Sequence, residues 1–351
     1  MPQALVTHIL PLTTIRRERL LPIPGRVVAR RGQQVNPSDA VAEADLAPEH
    51  LLLDVARGLG LPVAKADQHI KCQAGEEVGE GQVLAGPIGM GRRVVAPKTG
   101  RVVVAGDGQI LLQLESKAYE LRAGYVGVVA DLVADRGVVI EATGALIQGV
   151  WGNRQVNYGI TQPLGKHTDE ALDASLLDVS MRGSVIVGGY CNDPQVFKAA
   201  AELPIRGMIL ASMEASLIPE AMKVDYPIVV VEGFGQLPMN PLASKLLYTN
   251  ERNEAALNAG AWNPYANTRP EIMLTAPPQT AANMPPEVSA YATGKQVRVA
   301  APPYKARIGT ITGMRDDPVL MPSGIRAEAA DVRLDNGDMV LLPLANLEVL
   351  E

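Results

Sequence analysis

The sequence predicts a multi-domain α+β protein, rich in β-structure at both ends and built around a central α/β domain with a parallel sheet. Glycine and proline are frequent, with 33 and 27 among 351 residues, whereas aromatic residues make up only 4%. This balance favours many short strands packed on aliphatic side chains. Strand-like and helix-like patterns alternate after about residue 175, and a proline-rich segment at 275–290 precedes a second β-rich region.

Residues 1–120 are predicted to form a β-rich domain with one inserted helix. A weak internal repeat starts at Gly25 and again at His69, and each copy contains a Gly-polar-polar-Val turn followed by a short apolar strand. Between the copies, apolar residues recur at helical spacing after Pro48, and Gly60 is the predicted end of the helix. The residues on its apolar face are Leu51, Leu52, Val55 and Leu59.

The next two segments are predicted to differ in architecture. Residues 121–174 read as a β-hairpin connection that turns at Asp135-Arg136-Gly137. Residues 175–274 read as an α/β domain, because short apolar runs suited to buried parallel strands alternate with helical patterns. The strand runs are SVIVGG, RGMILAS, PIVVVEG and a closing PEIMLTA, and the helical runs are DPQVFKAAAEL, EASLIPEAMK and PLASKLLYTNERNEAAL.

The C-terminal region is predicted to be a separate β-domain. Residues 275–290 contain four prolines without periodicity, which indicates an extended linker. Residues 291–351 contain five short strand patterns and a turn at Asp335-Asn336-Gly337-Asp338. Their number and the length of the segment are typical of an SH3-like barrel.

The run KCQAGEEVGEGQVLAG, followed by VVAPKTGRVV, resembles the barrel-sandwich hybrid of biotinyl and lipoyl domains. It is most similar to the non-carrier versions in the A subunit of the sodium-pumping quinone reductase and the C subunit of the Rnf electron-transport complex. A carrier domain would present a lysine at a hairpin tip, where this chain has Glu43-Ala44-Asp45-Leu46. The resemblance therefore implies no attached cofactor, and one alternative is an accessory subunit of an electron-transfer complex.

The C-terminal segment resembles a KOW motif, a small β-unit that contacts RNA or protein. The matching positions are Val297-Arg298-Val299, Pro303-Tyr304-Lys305, Gly309 and the closing run VLLPLANLEVL. No acidic residue interrupts the basic residues between 295 and 315, which makes this stretch a candidate RNA or protein contact, or a solvated face. Its basic residues are Lys295, Arg298, Lys305, Arg307 and Arg315.

A weak ligand site is predicted where the parallel strands end and the following helices begin. Glycine loops at helix starts can bind an anion or a nucleotide, although the same glycines also permit tight strand-to-helix turns. Neither loop has the spacing of a dinucleotide fingerprint. The candidate residues are Gly188, Gly189, Asn192, Ser212, Glu214, Glu232, Gly233, Gly235 and Asn240.

Composition narrows the functional classes. The net charge of −6 offers no global field for nucleic acid or an anionic membrane, and two cysteines are too few for an iron–sulfur quartet. Four scattered histidines form no catalytic motif, so we expect no catalytic residues, no metal and no cofactor. Trp151 and Trp262 are interpreted as packing or interface residues rather than as ligand-stacking residues.

The sequence as a whole therefore favours a non-catalytic, cytoplasmic binding or assembly protein. We expect protein partners or self-assembly, and no membrane insertion, because no apolar run or leader-like segment is recognised. Two alternatives stay open: an accessory subunit of an electron-transfer complex, and an RNA-, ribosome- or transcription-associated factor acting through the KOW-like segment.

Overall fold

A computed structural model describes residues 3–4, 6–45, 49–89, 91–114, 119–165, 168, 170–263, 268–276, 283–286 and 289–350. The chain folds into two compact units. The first unit contains Met1–Leu20, Ala29–Val41 and Arg122–Glu351, and the second contains Leu21–Val28 and Ala42–Leu121. The predicted hairpin connection, α/β domain and C-terminal domain thus fall in one unit.

The N-terminal strands and helices lie within residues 3–122. They are β1 (Gln3–Ala4), β2 (Val6–Thr7), β3 (Ile9–Leu20), β4 (Arg26–Val27), β5 (Gln34–Val35), β6 (Ala40–Ala44), β7 (His50–Asp54), α1 (Val55–Leu59), α2 (Val63–Asp67), β8 (Glu77–Val78), β9 (Val83–Ile88), β10 (Arg92–Val95), β11 (Gly100–Gly106), β12 (Gln109–Leu114) and β13 (Tyr119–Arg122).

The remaining elements lie within residues 127–350. They are β14 (Gly127–Val133), β15 (Gly137–Gln148), β16 (Trp151–Gly152), β17 (Val156–Pro163), β18 (Ser184–Cys191), α3 (Gln195–Glu202), β19 (Gly207–Met213), α4 (Ile218–Ala221), β20 (Ile228–Phe234), α5 (Pro241–Thr249), β21 (Glu254–Asn258), β22 (Glu271–Thr275), β23 (Ser289–Ala290), β24 (Gln296–Val299), β25 (Ile308–Met314), β26 (Val319–Leu320), β27 (Arg326–Ala327), β28 (Ala329–Leu334), β29 (Met339–Pro343) and β30 (Leu347–Leu350). Short 3-10 turns cover Ala174–Leu176, Val179–Met181, Ala215–Leu217 and Leu344–Asn346.

An eleven-stranded sheet forms the centre of the first unit. Its order is β16-β20-β19-β18-β17-β21-β22-β15-β14-β5, and β3 also pairs with β15. The neighbours β17, β18, β19 and β20 run parallel, which confirms the predicted parallel arrangement of SVIVGG, RGMILAS and PIVVVEG. The fourth predicted strand, β22, belongs to the same sheet but is antiparallel to both of its neighbours.

Helices cover both faces of the parallel part of this sheet. Consecutive strand residues such as Ile209 and Leu210 belong to different apolar clusters, because successive side chains of a strand point to opposite faces. Helix α5 packs with Ala243 and Leu247 on one face, and α3 packs with Phe197 on the other. The parallel strands are therefore buried on both sides, as their continuous apolar runs predict.

Two sequence-based boundaries are wrong for a common reason. The predicted helix over 241–257 ends at Thr249, and Glu254–Asn258 is the central strand β21. The predicted helix after Pro48 is strand β7 over His50–Asp54, followed by α1 of only five residues, which Gly60 ends with φ 69°. In both segments, pairing with neighbouring strands overrides a local helical pattern.

The six-stranded C-terminal sheet includes one strand from the N-terminal region of the chain. Its order is β2-β30-β24-β25-β28-β29, and β2 pairs in parallel with β30. Tyr291 donates its hydroxyl hydrogen bond to the Leu344 and Leu347 carbonyls at 3.0 and 2.8 Å, which ties the start of this region to its last strands. Across the described residues the sheets stay open, and none closes into a barrel.

The second unit consists of small sheets around its own apolar core. The largest has the order β7-β12-β11-β8, and the core includes Leu59, Leu84 and Ile110. Across the chain, the two predicted repeat turns share a local geometry. Gly32 and Gly75 have φ of 80° and 91°, and the backbone N–H groups of Arg30 and Gln73 each donate to a side chain three residues later. Leu46, at the predicted hairpin tip, lies outside the described residues.

Candidate functional site: an aromatic, cationic groove

A groove of about 760 Å³ opens in the first unit. We call it the aromatic groove. Apart from two glycines, its lining residues have apolar or charged side chains. They are Val150, Trp151, Gly152, Arg154, Ile218, Met222, Glu232, Gly233, Phe234, Ala261, Trp262, Arg269, Arg298, Val299, Ala300, Lys305, Ala306 and Glu348. The volume lies within the range of roughly 300–1,000 Å³ that is common for small-molecule sites.

Four charged side chains of the lining form one ion-paired group, which we call the groove cluster: Arg298, Glu232, Glu348 and Arg269. The side chains of Arg298, Glu232 and Arg269 are buried, and that of Glu348 is 16% exposed. Arg298 donates to Glu232 Oε2 at 2.8 Å and to Glu348 Oε2 at 2.6 Å. Arg269 donates to Glu348 Oε1 at 2.5 Å, and the Thr7 hydroxyl bonds the same oxygen. The cluster joins β20 of the eleven-stranded sheet to β24 and β30 of the six-stranded sheet.

A bulge in β20 accompanies the inward placement of Glu232. Leu210 is paired with Val230, but Ser212 is paired with Gly233, so β20 carries one extra residue at this point. Such a bulge changes the direction of the side chains that follow it. Glu232 accepts the Asn240 N–H at 2.8 Å with one oxygen and Arg298 with the other, so both of its carboxylate oxygens have partners.

Glu348 and Arg298 of the groove cluster stay ionised at neutral pH. Burial alone would raise the pKa of Glu348, but the charges of Arg298 and Arg269 and the donated hydrogen bonds lower it to about 2. Burial alone would lower the pKa of Arg298, but Glu348 and Glu232 raise it above its ordinary value. The two carboxylates and two guanidinium groups therefore balance one another in formal charge.

One donor of this cluster has no partner among the described residues. The side chain of Arg269 is 2% exposed, and its Nε, which is closed to solvent, makes no hydrogen bond within that part of the chain. Leaving a buried donor unsatisfied costs on the order of 1–3 kcal/mol. The guanidinium carbon also lies 5.3 Å from the ring centre of Trp262, in a cation–π contact.

Aromatic rings flank the groove cluster. Trp151 and Phe234 are in edge-to-face contact, with ring centres 6.2 Å apart, whereas Trp262 is 47% exposed. Buried Asn153 fixes the position of Trp151, because its amide donates to the Ala221 and Tyr226 carbonyls and accepts the Ile228 N–H. The large exposed face of Trp262 offers a stacking surface for a planar group.

Two exposed cations, Arg154 and Lys305, complete the lining. Neither forms an ion pair within the part of the chain that the structure describes; Lys305 donates only a long 3.4 Å hydrogen bond to the Phe234 carbonyl. Arg154 has φ 69°, a left-handed conformation that is uncommon outside glycine. Since the groove cluster is balanced, these two residues give the lining a net formal charge of +2.

Two of the nine residues predicted at the parallel-strand ends line the aromatic groove, namely Glu232 and Gly233. Ser212 and Asn240 are buried, and their side chains make hydrogen bonds that stabilise the fold. The Ser212 hydroxyl bonds the Leu237 carbonyl and N–H, and Asn240 caps α5 through the Leu242 N–H at 2.8 Å. Glu214 accepts the Tyr190 hydroxyl at 3.2 Å and does not line the groove.

The other predicted glycines have local structural reasons for lacking a side chain. A Cβ atom at Gly189 would lie 2.5 Å from the Glu170 carbonyl, and one at Gly188 would lie 3.1 Å from the Leu172 side chain. Gly235 has φ 92° and donates to the Met213 carbonyl. Asn192 is exposed and does not cap α3; the Asp193 carboxylate accepts the Gln195 N–H instead.

The five residues of the predicted basic stretch lie in different environments in the structure. Arg298 is 4% exposed, so its placement on an exposed basic surface is wrong, because the sheet face that carries it is covered by β20. Arg307 pairs with Asp335 at 2.9 Å and Arg315 with Asp331 at 2.7 Å. Lys295 is half-buried. Lys305 is the member of the stretch that is both exposed and in the groove.

Sequence reasoning missed several residues of the groove: Arg154, Arg269 and Glu348, and the placement of Trp151 and Trp262 in its lining. These residues are distant in sequence and carry no motif spacing. The one available signal was the pairing of rare aromatic residues with cations, as in Trp151 with Arg154 and Trp262 with Arg269.

The described residues contain neither a metal-binding group nor a membrane-spanning helix. In the ranges that the structure describes, no three histidine, cysteine, aspartate or glutamate side chains are grouped to hold a metal ion. Within the same ranges, no helix combines the length and apolar character needed to cross a bilayer. Cys72 and Cys191 are both buried, and burial raises the pKa of each thiol, to about 12 for Cys191.

Comparison of the chain with protein-family models and with curated protein sequences found no match.

Proposed function

We propose that this protein is a binding protein whose aromatic groove takes an organic anion. The observation that carries the proposal is the charge distribution of the lining: a charge-balanced cluster, two exposed cations that form no ion pair with any described residue, and aromatic rings in the same lining. Such a combination favours a molecule that is negatively charged at one end and apolar or planar at the other.

The carboxylate of Glu348 supports binding rather than proton transfer. Glu348 has a pKa lowered to about 2 and its oxygens accept from Arg298, Arg269 and Thr7. A carboxylate held this far from neutral pH is poorly matched to general acid–base work, which is most efficient when the pKa lies near the working pH. These groups instead fix the guanidinium groups that line the groove.

The proposal agrees with the sequence-based expectation of a non-catalytic binding or assembly protein, and it specifies the surface involved. The alternatives of an electron-transfer subunit or an RNA-associated factor gain no additional support from the groove. In the basic stretch, Arg298, Arg307 and Arg315 are each engaged by carboxylates, which leaves fewer charges for phosphate contacts.

A titration with the dye 1-anilinonaphthalene-8-sulfonate, an aromatic monoanion, tests this function. Both tryptophans of the chain line the groove, so energy transfer from tryptophan to the dye reports binding there. We expect saturable 1:1 binding that the double variant Arg154→Glu/Lys305→Glu weakens about tenfold or more, as loss of two close charge contacts implies.

The matched control is Lys198→Glu/Arg333→Glu, which changes the net charge equally at two exposed positions outside the groove. Equal dye binding by the wild type and both double variants would contradict the proposed function.

A further inference from the structure

The net charge of the groove lining restricts the anion that fits it. The lining has a formal charge of +2, which comes from Arg154 and Lys305 because Arg269 and Arg298 are balanced by Glu232 and Glu348. A carboxylate neutralises one of these charges. A phosphate monoester carries roughly −1.5 to −2 at neutral pH and neutralises both.

The buried arginine Arg269 lines the groove without offering its unpartnered donor to a ligand. Its side chain is 2% exposed, and its Nε, which has no hydrogen-bond partner among the described residues, is closed to solvent. The polar contacts of a ligand therefore come from the exposed cations Arg154 and Lys305.

The aromatic wall restricts the other end of the ligand. Arg269 lies against the Trp262 ring, and the ring is still 47% exposed. Stacking of a nucleobase-sized ring on an aromatic side chain contributes enough to change affinity about 5- to 150-fold by alanine substitution. A groove of about 760 Å³ has room for such a ring together with a sugar and a phosphate.

We infer that the groove binds a phosphate monoester of a planar heteroaromatic group, the chemistry of a nucleoside monophosphate. This inference rests on the proposed function and names its ligand class. The phosphate contacts the cations Arg154 and Lys305, and the ring stacks on Trp262. Two residues of the weak sequence signal for a nucleotide or anion, Glu232 and Gly233, line this same groove. The other residues of that signal do not line it.

Isothermal titration calorimetry of the full-length protein with adenosine monophosphate, adenosine and inorganic phosphate tests the inference. We expect adenosine monophosphate to bind about tenfold or more tightly than either adenosine or inorganic phosphate, since only it engages both ends of the groove. Trp262→Ala should weaken its binding about 5- to 150-fold, and Trp262→Phe should restore part of the loss.

Variants of the two exposed cations test the contact with the phosphate separately from the stacking of the ring. Arg154→Gln/Lys305→Gln should remove the preference for adenosine monophosphate over adenosine, whereas Lys198→Gln/Arg333→Gln should leave it unchanged. Urea unfolding of each variant checks that the fold is retained. Arg154 and Lys305 are exposed, so we expect unchanged midpoints for their variants, whereas Trp262→Ala should lower the midpoint slightly because it loses the contact with Arg269.

Two results would overturn the inference. One is equal affinity for adenosine monophosphate and inorganic phosphate, which would mean that the aromatic wall does not take a ring. The other is binding of the aromatic sulfonate dye with no measurable binding of adenosine monophosphate. The latter result would leave the proposed function standing and remove the phosphate ester as its ligand class.

Discussion

Two buried arginine–glutamate clusters of the first unit differ in what surrounds them. The groove cluster borders a cavity. The second, which we call the sheet cluster, surrounds Glu271 inside the eleven-stranded sheet. Glu271 accepts from Arg17 at 2.8 Å, from the Tyr125 hydroxyl at 2.5 Å and from Gln148 at 2.8 Å. Burial alone would raise the pKa of Glu271, but Arg17 and the donated hydrogen bonds lower it below its ordinary value.

The hydrogen-bond network of the sheet cluster continues into other protein groups, whereas the groove cluster borders an open cavity. The Tyr125 hydroxyl also accepts from Asn258 at 2.9 Å, so this network continues into further protein groups. In the groove cluster, Arg269 Nε has no partner among the described residues, and Arg154 and Lys305, which form no ion pair in that part of the chain, line the same groove. A buried ion pair alone thus indicates structure, and binding capacity comes from charges that the fold leaves unpaired at an accessible surface.

The largest effect is expected from breaking the groove cluster at its centre. Arg298→Met would leave Glu232 buried at 7% exposure without its cation, and removing one partner of a buried pair typically destabilises by about 3–5 kcal/mol. Urea unfolding measures the change. Arg315→Met, which breaks the exposed pair with Asp331, is the control and should cost about 1 kcal/mol or less. Similar losses in the two variants would show that the cluster is not buried as described.

Acid should destabilise the protein through Glu348. Its folded-state pKa of about 2 lies below the ordinary 4.5, so its contribution is fully present above about pH 4.5 and is lost as the pH falls toward 2. The difference corresponds to on the order of 3 kcal/mol. Unfolding free energies measured over this pH range should therefore converge for the wild type and Glu348→Gln. The lowered pKa of Glu271 acts in the same direction in both proteins, so both should still lose stability in acid. A gap between them that is constant with pH would contradict this assignment.

A smaller effect, confined to stability, is expected in the sheet cluster. Tyr125→Phe removes a hydrogen bond to an ionised carboxylate and the acceptor of Asn258, which should cost about 2 kcal/mol. Dye binding in the groove should be unchanged, because none of these residues lines it. Loss of dye binding in a folded Tyr125→Phe protein would remove the distinction between the two clusters.

Local patterns predicted what depends on neighbours in sequence. The parallel strands β18, β19 and β20, the hairpin turn at Asp135-Arg136-Gly137 and the glycine turns at Gly32 and Gly75 follow from apolar runs and turn residues. Strand β2 could not be predicted in this way, because its pairing with β30 joins residues more than 300 positions apart.

The residues of the aromatic groove depend even more than the strands and turns on contacts between distant parts of the sequence. Arg298 alternates with the buried Val297 and Val299, a pattern that predicts a solvent-facing arginine when only one sheet face is covered. The structure covers both faces, and Glu232 and Glu348 neutralise the charge. Arg154 and Trp262 reach the groove from loops that have no motif, so sequence alone indicated no connection between them.

The charge of the aromatic groove can be measured directly through its two tryptophans. Because Trp151 and Trp262 are the only tryptophans in the chain and both line the groove, collisional quenching of their emission samples the local field. Because iodide is intrinsically the stronger quencher, each quenching constant is divided by that of free N-acetyltryptophanamide with the same ion at equal low ionic strength. The normalised constant should be larger for iodide than for caesium in the wild type and in Lys198→Glu/Arg333→Glu, and this order should reverse in Arg154→Glu/Lys305→Glu. Equal normalised constants in the wild type, or a larger one for caesium, would contradict the cationic groove on which the proposed function depends.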